Sequence, residues 1–303
     1  MNHVLIVFLD GVGLGEANPE TNPFMHARMP ALAARLGVPH FTRAAAGTVN
    51  GQAALLGLDA RLGVSGLPQS GTGQTALLTG RNAPALLGEH VGPYPTPPLR
   101  DLLARESMFA SLKAAGRAVA YANAYPKRFL DRLARGTGRL SANTLAAHLA
   151  GLTLRGADDL RAGQAVSALF SNEHWPEPHA ALPQVSAYEA GQNLAGITGA
   201  HALTFFEFWY SDVLGHKQER ENSVAILARL DEFLAGILSR LNLADSLLLV
   251  VSDHGNFEDW TTKKHTFNPA LTLVIGDSAP ELAARLAALT DVKAAVFDFL
   301  GVA

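Results

Sequence analysis

The chain of 303 residues contains no cysteine. Disulfides and thiolate metal sites are thereby excluded, so any bound metal must be held by oxygen and nitrogen. Charge is also sparse, with 17% Asp, Glu, Lys and Arg and a formal net charge of −3. That removes the basic surface which a nucleic-acid partner requires. No apolar run approaches the ~20 residues of a membrane span. Met1-Asn2-His3 leads into an apolar run with no basic n-region and no cleavage site. The expectation is a soluble, cytoplasmic protein that meets neither membrane nor nucleic acid, with one large domain and a small insertion.

What is present is a set of apolar runs that end in acids. Val4 to Leu9 ends at Asp10-Gly11, Ala202 to Tyr210 at Ser211-Asp212, and Leu247 to Val251 at Ser252-Asp253-His254. His216 follows Asp212 by four positions, and His265 stands just before another apolar run, Leu271 to Ile275. Strand ends of an open α/β sheet are where active sites collect. Neighbouring strand residues point to opposite faces, so Asp253 and His254 serve one metal only if the chain turns there, and Gly255-Asn256 is a turn pair. Asp and His bind Zn²⁺ or Mn²⁺. Three of each are too many for one tetrahedral ion and suit a pair.

A hydroxyl candidate lies in Gln69-Ser70-Gly71-Thr72-Gly73-Gln74, which leads into the apolar helical stretch up to Leu78. A helix start offers free N–H groups and a positive dipole end to an anion. The same pattern is also that of an N-capping Ser or Thr. Ser70 is the first nucleophile candidate and Thr72 the reserve.

Strand and helix patterns alternate along the chain. Ser107 to Ala115 and Asn222 to Leu241 carry apolar residues at helical spacing, as does Glu281 to Leu289, and Arg117 to Ala122 reads as a short strand. Residues 127–185 change character, with a basic start and the Pro-rich Trp175-Pro176-Glu177-Pro178, and read as an inserted cap. The expected fold is α/β: a mainly parallel sheet covered by helices on both faces, built from residues 1–126 and 186–303, with a small cap at 127–185. Asn123 closes the short strand near the active edge. Lys127 and Arg128 open the cap, where they can meet an anionic substrate as point charge and fork. A solvated basic turn is the alternative for both.

Three tempting motifs fail. Gly11-Val12-Gly13-Leu14-Gly15 is followed by Glu16 where a dinucleotide fingerprint needs its third Gly. Thr72 replaces the Lys of a phosphate loop opened by Gly66. A Ser-His-Asp triad has no Gly-x-Ser-x-Gly elbow and leaves most of the Asp and His unexplained.

Taken in order, the motifs resemble the alkaline phosphatase superfamily, and within it the branch of cofactor-independent phosphoglycerate mutase and phosphopentomutase. Leu9-Asp10-Gly11-Val12-Gly13 resembles the family's opening Asp motif. Gln69 to Gln74 resembles the mutase Asn-Ser-Glu-Val-Gly-His, and Ser70 to Arg81 the sulfatase signature; both place Ser70 on the nucleophile. Asp212-Val213-Leu214-Gly215-His216 resembles Asp-x-x-Gly-His, Asp253 to Asn256 matches Asp-His-Gly-Asn, and His265 to Pro269 resembles His-Thr-x-Asn-Pro. The resemblance implies two divalent ions, Mn²⁺ or Zn²⁺: one on Asp10, Asp253, His254 and Ser70, the other on Asp212, His216 and His265. It implies phosphoryl transfer from a small phosphorylated metabolite through a phosphoserine. Water as acceptor makes a phosphatase, and a hydroxyl of the retained product makes a phosphomutase. The chain departs from the mutase at Gln74, which replaces its His, and in the reduced insertion, which favours the hydrolase. Sulfatases use a modified Cys that this chain lacks. A non-catalytic metal-binding protein is the remaining alternative.

Overall fold

The computed structural model describes residues 2–177 and 181–302; Pro178 of the connector lies outside them. Seven strands form one sheet: β1 His3–Leu9, β2 Thr48–Asn50, β3 Ala53–Leu58, β4 Val119–Tyr121, β5 Leu203–Phe208, β6 Ser246–Ser252 and β7 Ala270–Ile275, in the order β2-β3-β7-β6-β1-β5-β4. β6, β1, β5 and β4 are mutually parallel, β7 runs against β6, and β3 runs against β7 and hence along β6. The sheet is therefore mostly parallel, as the alternating pattern implies.

The central strands are apolar on both faces because both faces are covered. Leu5, Val7 and Leu9 of β1 join a core with Leu194, Leu230, Phe233 and Leu234 from the helices Ala187–Thr198 and Arg220–Leu238. Val4, Ile6 and Phe8 point the other way, toward Leu77, Leu103 and Val296 of the helices Ser70–Thr79, Pro97–Glu106 and Asp291–Leu300. The period of two along β1 is the ordinary side-chain alternation of a strand.

Several expectations shift by local chemistry. The helix expected over Ser107–Ala115 is Met108–Ala114, with the Ser107 hydroxyl capping Ala110 N, and Gly116 ends it at φ +70°. Glu281–Leu289 is not one helix: Ala279–Ala283 is helical and the chain then turns, so that Leu286 and Leu289 still reach the core. Within 127–185, Ala142, Ala146 and Ala147 of the helix Ala142–Leu149 lie in one core, and Val166 and Phe170 in the other. The helix Lys127–Ala134, by contrast, buries no residue. Among the described residues no helix is long and apolar enough to cross a membrane.

Candidate metal centre

The sheet's topology explains why these residues meet. β1, β5, β6 and β3 point their C-terminal ends to one edge. β7 is antiparallel, so the residues that precede it arrive at that same edge. Asp10 follows β1 directly, and Asp253 and His254 follow β6 at a bend. His265 stands before β7, and Ser70 begins the helix that follows β3. Asp212 is not at a strand end as expected: β5 stops at Phe208, and Asp212 lies in the first turn of the helix Tyr210–Lys217. His216 is one turn further on, which puts the two on one face.

Two donor groups result. In the first, Asp10 Oδ1 and Asp253 Oδ2 each lie 3.6 Å from His254 Nε2, and Ser70 Oγ lies 3.0 Å from the same nitrogen. In the second, His216 Nε2 is 3.2 Å from Asp212 Oδ2, His265 Nε2 is 3.6 Å from Asp212 Oδ1, and the two histidine nitrogens are 3.3 Å apart. The groups adjoin. The rings of His254 and His265 stack with centroids 3.8 Å apart, and Asp212 also lies within ligand range of Asp10 and His254.

The histidines are oriented for ligation. Nδ1 of His216 faces Lys263 O at 2.6 Å, that of His265 faces Pro68 O at 2.7 Å, and that of His254 faces Gly255 O at 3.3 Å. A carbonyl only accepts, so each Nδ1 carries a proton and each Nε2 faces the carboxylates, where it can bind a metal once neutral. The Ser70 helix has Gln69 at its N-cap with no side-chain cap bond, so the Ser70 hydroxyl is not spent on capping. Thr72 is spent: its buried hydroxyl donates to Gln69 O at 3.1 Å and accepts from Val91 N at 3.3 Å.

The electrostatics call for cations. Asp10 Oδ1 and Asp253 Oδ2 are buried without a hydrogen-bond partner. Burial, with Asp253, Asp212 and Glu207 nearby, holds the Asp10 carboxyl well above its ordinary range. Burial likewise pushes Asp253 up to about 7. Asp212 is also desolvated, but the hydrogen bond from His216 and the nearby His254 outweigh that and take it down to about 2. Burial lowers His254, and burial with His254 beside it lowers His265 to about 4, which keeps both imidazoles neutral as ligands. Clustered buried carboxylates whose oxygens lack donors are costly unless paired or metal-bound. Oxygen and imidazole nitrogen fit a borderline divalent ion.

A supporting acid escaped the sequence reading. Glu258 is buried and accepts from Gly13 N (2.8 Å), Asn256 N (2.9 Å), Thr266 Oγ1 (2.5 Å) and Asn268 Nδ2 (3.0 Å). It ties together the loops that carry Asp10, His254 and His265. Gly255 is required for this closure, because a side chain there would strike Thr266 Oγ1 and the Glu258 carboxylate. An acid set between Phe257 and Trp260, just past the Asp-His-Gly-Asn motif, was the available signal. Asn256 has a role too: its Nδ2 donates to Asp212 Oδ1 at 2.7 Å.

The three residues expected to read substrate separate. Asn123 is buried and its amide is used on the Glu207 backbone, donating to the carbonyl and accepting from the N–H at 2.7 Å each. It extends the sheet edge beyond β4. Lys127 is exposed and paired with Asp131 at 2.8 Å. Arg128 is exposed and lines a cavity with Trp209, the residue that follows β5.

The family model of the metalloenzyme superfamily matches residues 171–303. The 2,3-bisphosphoglycerate-independent phosphoglycerate mutase of Rhodopseudomonas palustris is 31% identical over 107 residues, covering 32% of this chain and 21% of that protein. The matches to the curated mutases span about a quarter of those proteins' length or less. Among solved structures, a protein from Pyrococcus horikoshii superposes with a TM-score of 0.60 at 12% identity, covering 99% of this chain and 97% of that one. Thermus thermophilus alkaline phosphatase gives 0.54 at 12%, covering 100% and 92%. At such identities the structures speak for the fold alone. The fold is thus that of the alkaline phosphatase-like structures, and residues 171–303 match the metalloenzyme superfamily. The curated relatives that this chain resembles in part are 2,3-bisphosphoglycerate-independent phosphoglycerate mutases.

Proposed function

We propose that the protein moves the phosphoryl group of a small phosphorylated metabolite onto Ser70, with two divalent ions, Mn²⁺ or Zn²⁺, as cofactors. The observation that carries this reading is the convergence of Ser70 Oγ and the donorless oxygens of Asp10 and Asp253 on His254 Nε2. Asp10, Asp253, His254 and Ser70 would hold one ion, and Asp212, His216 and His265 the other. When bound, such ions neutralise phosphoryl oxygens and make a hydroxyl easier to ionise. The chain's own part is positional. The Ser70 hydroxyl stands at a helix start, uncommitted to capping, and the three imidazoles are locked by backbone carbonyls. As Oγ–P forms, the ester O–P bond breaks; Ser70 gives up its proton and the departing alcohol gains one.

Hydrolysis is the favoured outcome. The side chain of His216 is 45% exposed, and the helix Lys127–Ala134 buries nothing, so water has access to the edge of the site. The second reading is an intramolecular phosphomutase, supported by the names of the curated relatives. A non-catalytic metal-binding role fits poorly with the Ser70 geometry. Residues 127–185 as a cap, and a cytoplasmic setting, belong to the same proposal. Of the three expected substrate contacts, Arg128 carries the reading, since Asn123 and Lys127 are committed elsewhere.

Ser70→Ala tests it. Turnover of p-nitrophenyl phosphate with added Mn²⁺ should fall at least ~100-fold, as expected for a lost nucleophile. Elemental analysis should still show at least one ion, and acid-quenched wild-type enzyme should carry phosphate on Ser70. Undiminished turnover in Ser70→Ala would overturn the assignment.

A further inference from the structure

The helix Lys127–Ala134 has two unlike faces. Lys127 and Asp131 neutralise each other on one. Arg128 and Arg132, also one turn apart, share the other, and among the described residues neither guanidinium has a carboxylate or carbonyl partner. Both line a cavity of about 450 Å³ whose walls include Phe129, Trp175 and Trp209. Phe129 is held by stacking on Tyr125 at 4.3 Å. Trp175 Nε1 is buried with no hydrogen-bond partner among the described residues, and Trp209 is 44% exposed although it stands three residues before Asp212. A second cleft, of about 370 Å³, shares Phe129 and Arg132 and reaches Tyr94. The Tyr94 backbone packs on Gly71, the neighbour of Ser70. The two clefts along this helix are thus lined by Trp209, three residues before Asp212, and by Tyr94, whose backbone packs on Gly71.

These features select a ligand class. An exposed indole close in sequence to Asp212 and two exposed arginines without a carboxylate partner among the described residues leave an aromatic face and guanidinium planes open to a ligand. Aromatic faces and guanidinium planes both stack on flat π-systems, and the volume lies in the range of small-molecule sites. A short acid such as a phosphoglycerate would engage an arginine and leave the aromatic walls unused.

We propose that this cleft seats a planar, nucleoside-sized ring on the leaving group, so that the substrate is a ring-bearing phosphate monoester. The inference rests on the phosphoryl-transfer reading for its role, and on the cleft alone for its binding. Trp209 and Phe129 stack on the ring, and Arg128 and Arg132 cover its open side.

Two measurements separate the two claims. The first compares kcat/KM for adenosine 5′-monophosphate and glycerol phosphate with Mn²⁺ present. A preference of at least ~10-fold for the ring, about 1.4 kcal/mol, is expected in the wild type, and its collapse toward unity in Trp209→Ala and in Arg132→Glu. The second follows tryptophan fluorescence of the metal-free protein titrated with adenosine, which has no phosphate. Saturable quenching is expected, and its loss in Arg132→Glu. Adenosine binding without turnover of any monoester upholds the cleft and removes the phosphoryl-transfer reading. Turnover with equal kcat/KM for both esters and no adenosine binding removes the cleft and leaves phosphoryl transfer standing.

Discussion

Two kinds of buried acid share one edge of the sheet. Glu258 and Glu207 are 1% and 3% exposed, and each is surrounded by donors. Glu207 accepts from Tyr121 Oη at 2.5 Å and from Asn143 Nδ2 at 3.1 Å, with Ser141 and Thr144 beside them. Asp253 is fully buried and Asp10 is 9% exposed, yet each keeps one oxygen without a donor among the described residues. A buried carboxylate that is fully hydrogen-bonded organises structure, whereas one left short of donors is complete only with a cation. On the proposed reading, the difference separates scaffold acids from the acids that would hold a metal, without reference to any motif.

The scaffold side should break hardest. Glu258→Ala leaves four donors without their acceptor, two of them backbone N–H groups. Each stranded buried group costs ~1–3 kcal/mol. Denaturant unfolding of the metal-free protein should therefore show a loss of about 4 kcal/mol, and Glu258→Gln a smaller one. Stability within about 0.5 kcal/mol of wild type would mean that Glu258 does not organise these loops.

The ligand side should respond in the opposite direction. Burial raises Asp253 to about 7, so in the metal-free protein the native state holds a proton there that the unfolded chain has already lost. That group's contribution to stability falls as pH rises from the ordinary carboxylate range to about 7, and is level beyond. His265, lowered to about 4, acts with the opposite sign below its ordinary value, so the comparison is made as a difference between two chains. Metal-free Asp253→Asn should become progressively more stable relative to wild type as pH rises from the ordinary carboxylate range, reaching its full advantage above pH ~7. With Mn²⁺ the order should reverse, because the variant has lost a ligand. Thermal melts at several pH values, with and without metal, decide it. A variant less stable than wild type in both states would show that Asp253 is a scaffold acid after all.

Much of this edge was legible in the sequence. Apolar runs closing on Asp10 and on Asp253-His254 mark buried strands, because a parallel sheet covered on both faces has no polar alternation to hide them. What stayed hidden depended on contacts far apart in the chain. The run through Tyr210 does not tell that β5 stops at Phe208, since Trp209 and Tyr210 are as apolar as the strand before them. Nothing local to Leu271–Ile275 reveals that β7 runs backwards, and only that reversal brings His265 to the others. Asn123 sits where the sequence placed it, at the end of a short strand. Its amide is used by the Glu207 backbone across 84 positions of chain, which no local pattern displays.

Gln74 joins the two kinds of acid and should give the smallest effect of the series. It is fully buried; its Nε2 donates to Asp10 Oδ2 at 3.3 Å, and its Oε1 accepts from Asn143 N at 3.4 Å. Asn143 in turn donates to Glu207, so one chain of bonds runs from a scaffold acid to a ligand acid. Asp10 already has one oxygen without a donor, and Gln74→Met would leave the other short as well. The carboxyl would then hold its proton more tightly and compete less well for a cation. Residues behind a ligand typically contribute ~10–100-fold in metal affinity; both hydrogen bonds here are long, so a loss of about 10-fold is expected, read by competition against a chelator at fixed pH. Gln74→His places at this position the residue found in the mutase motif and retains an N–H that can face Asp10. Its affinity should stay within a few-fold of wild type. Equal affinity in Gln74→Met and wild type would show that Asp10 is positioned by the strand end alone, and the bond chain to Glu207 would then be packing without consequence for the metal.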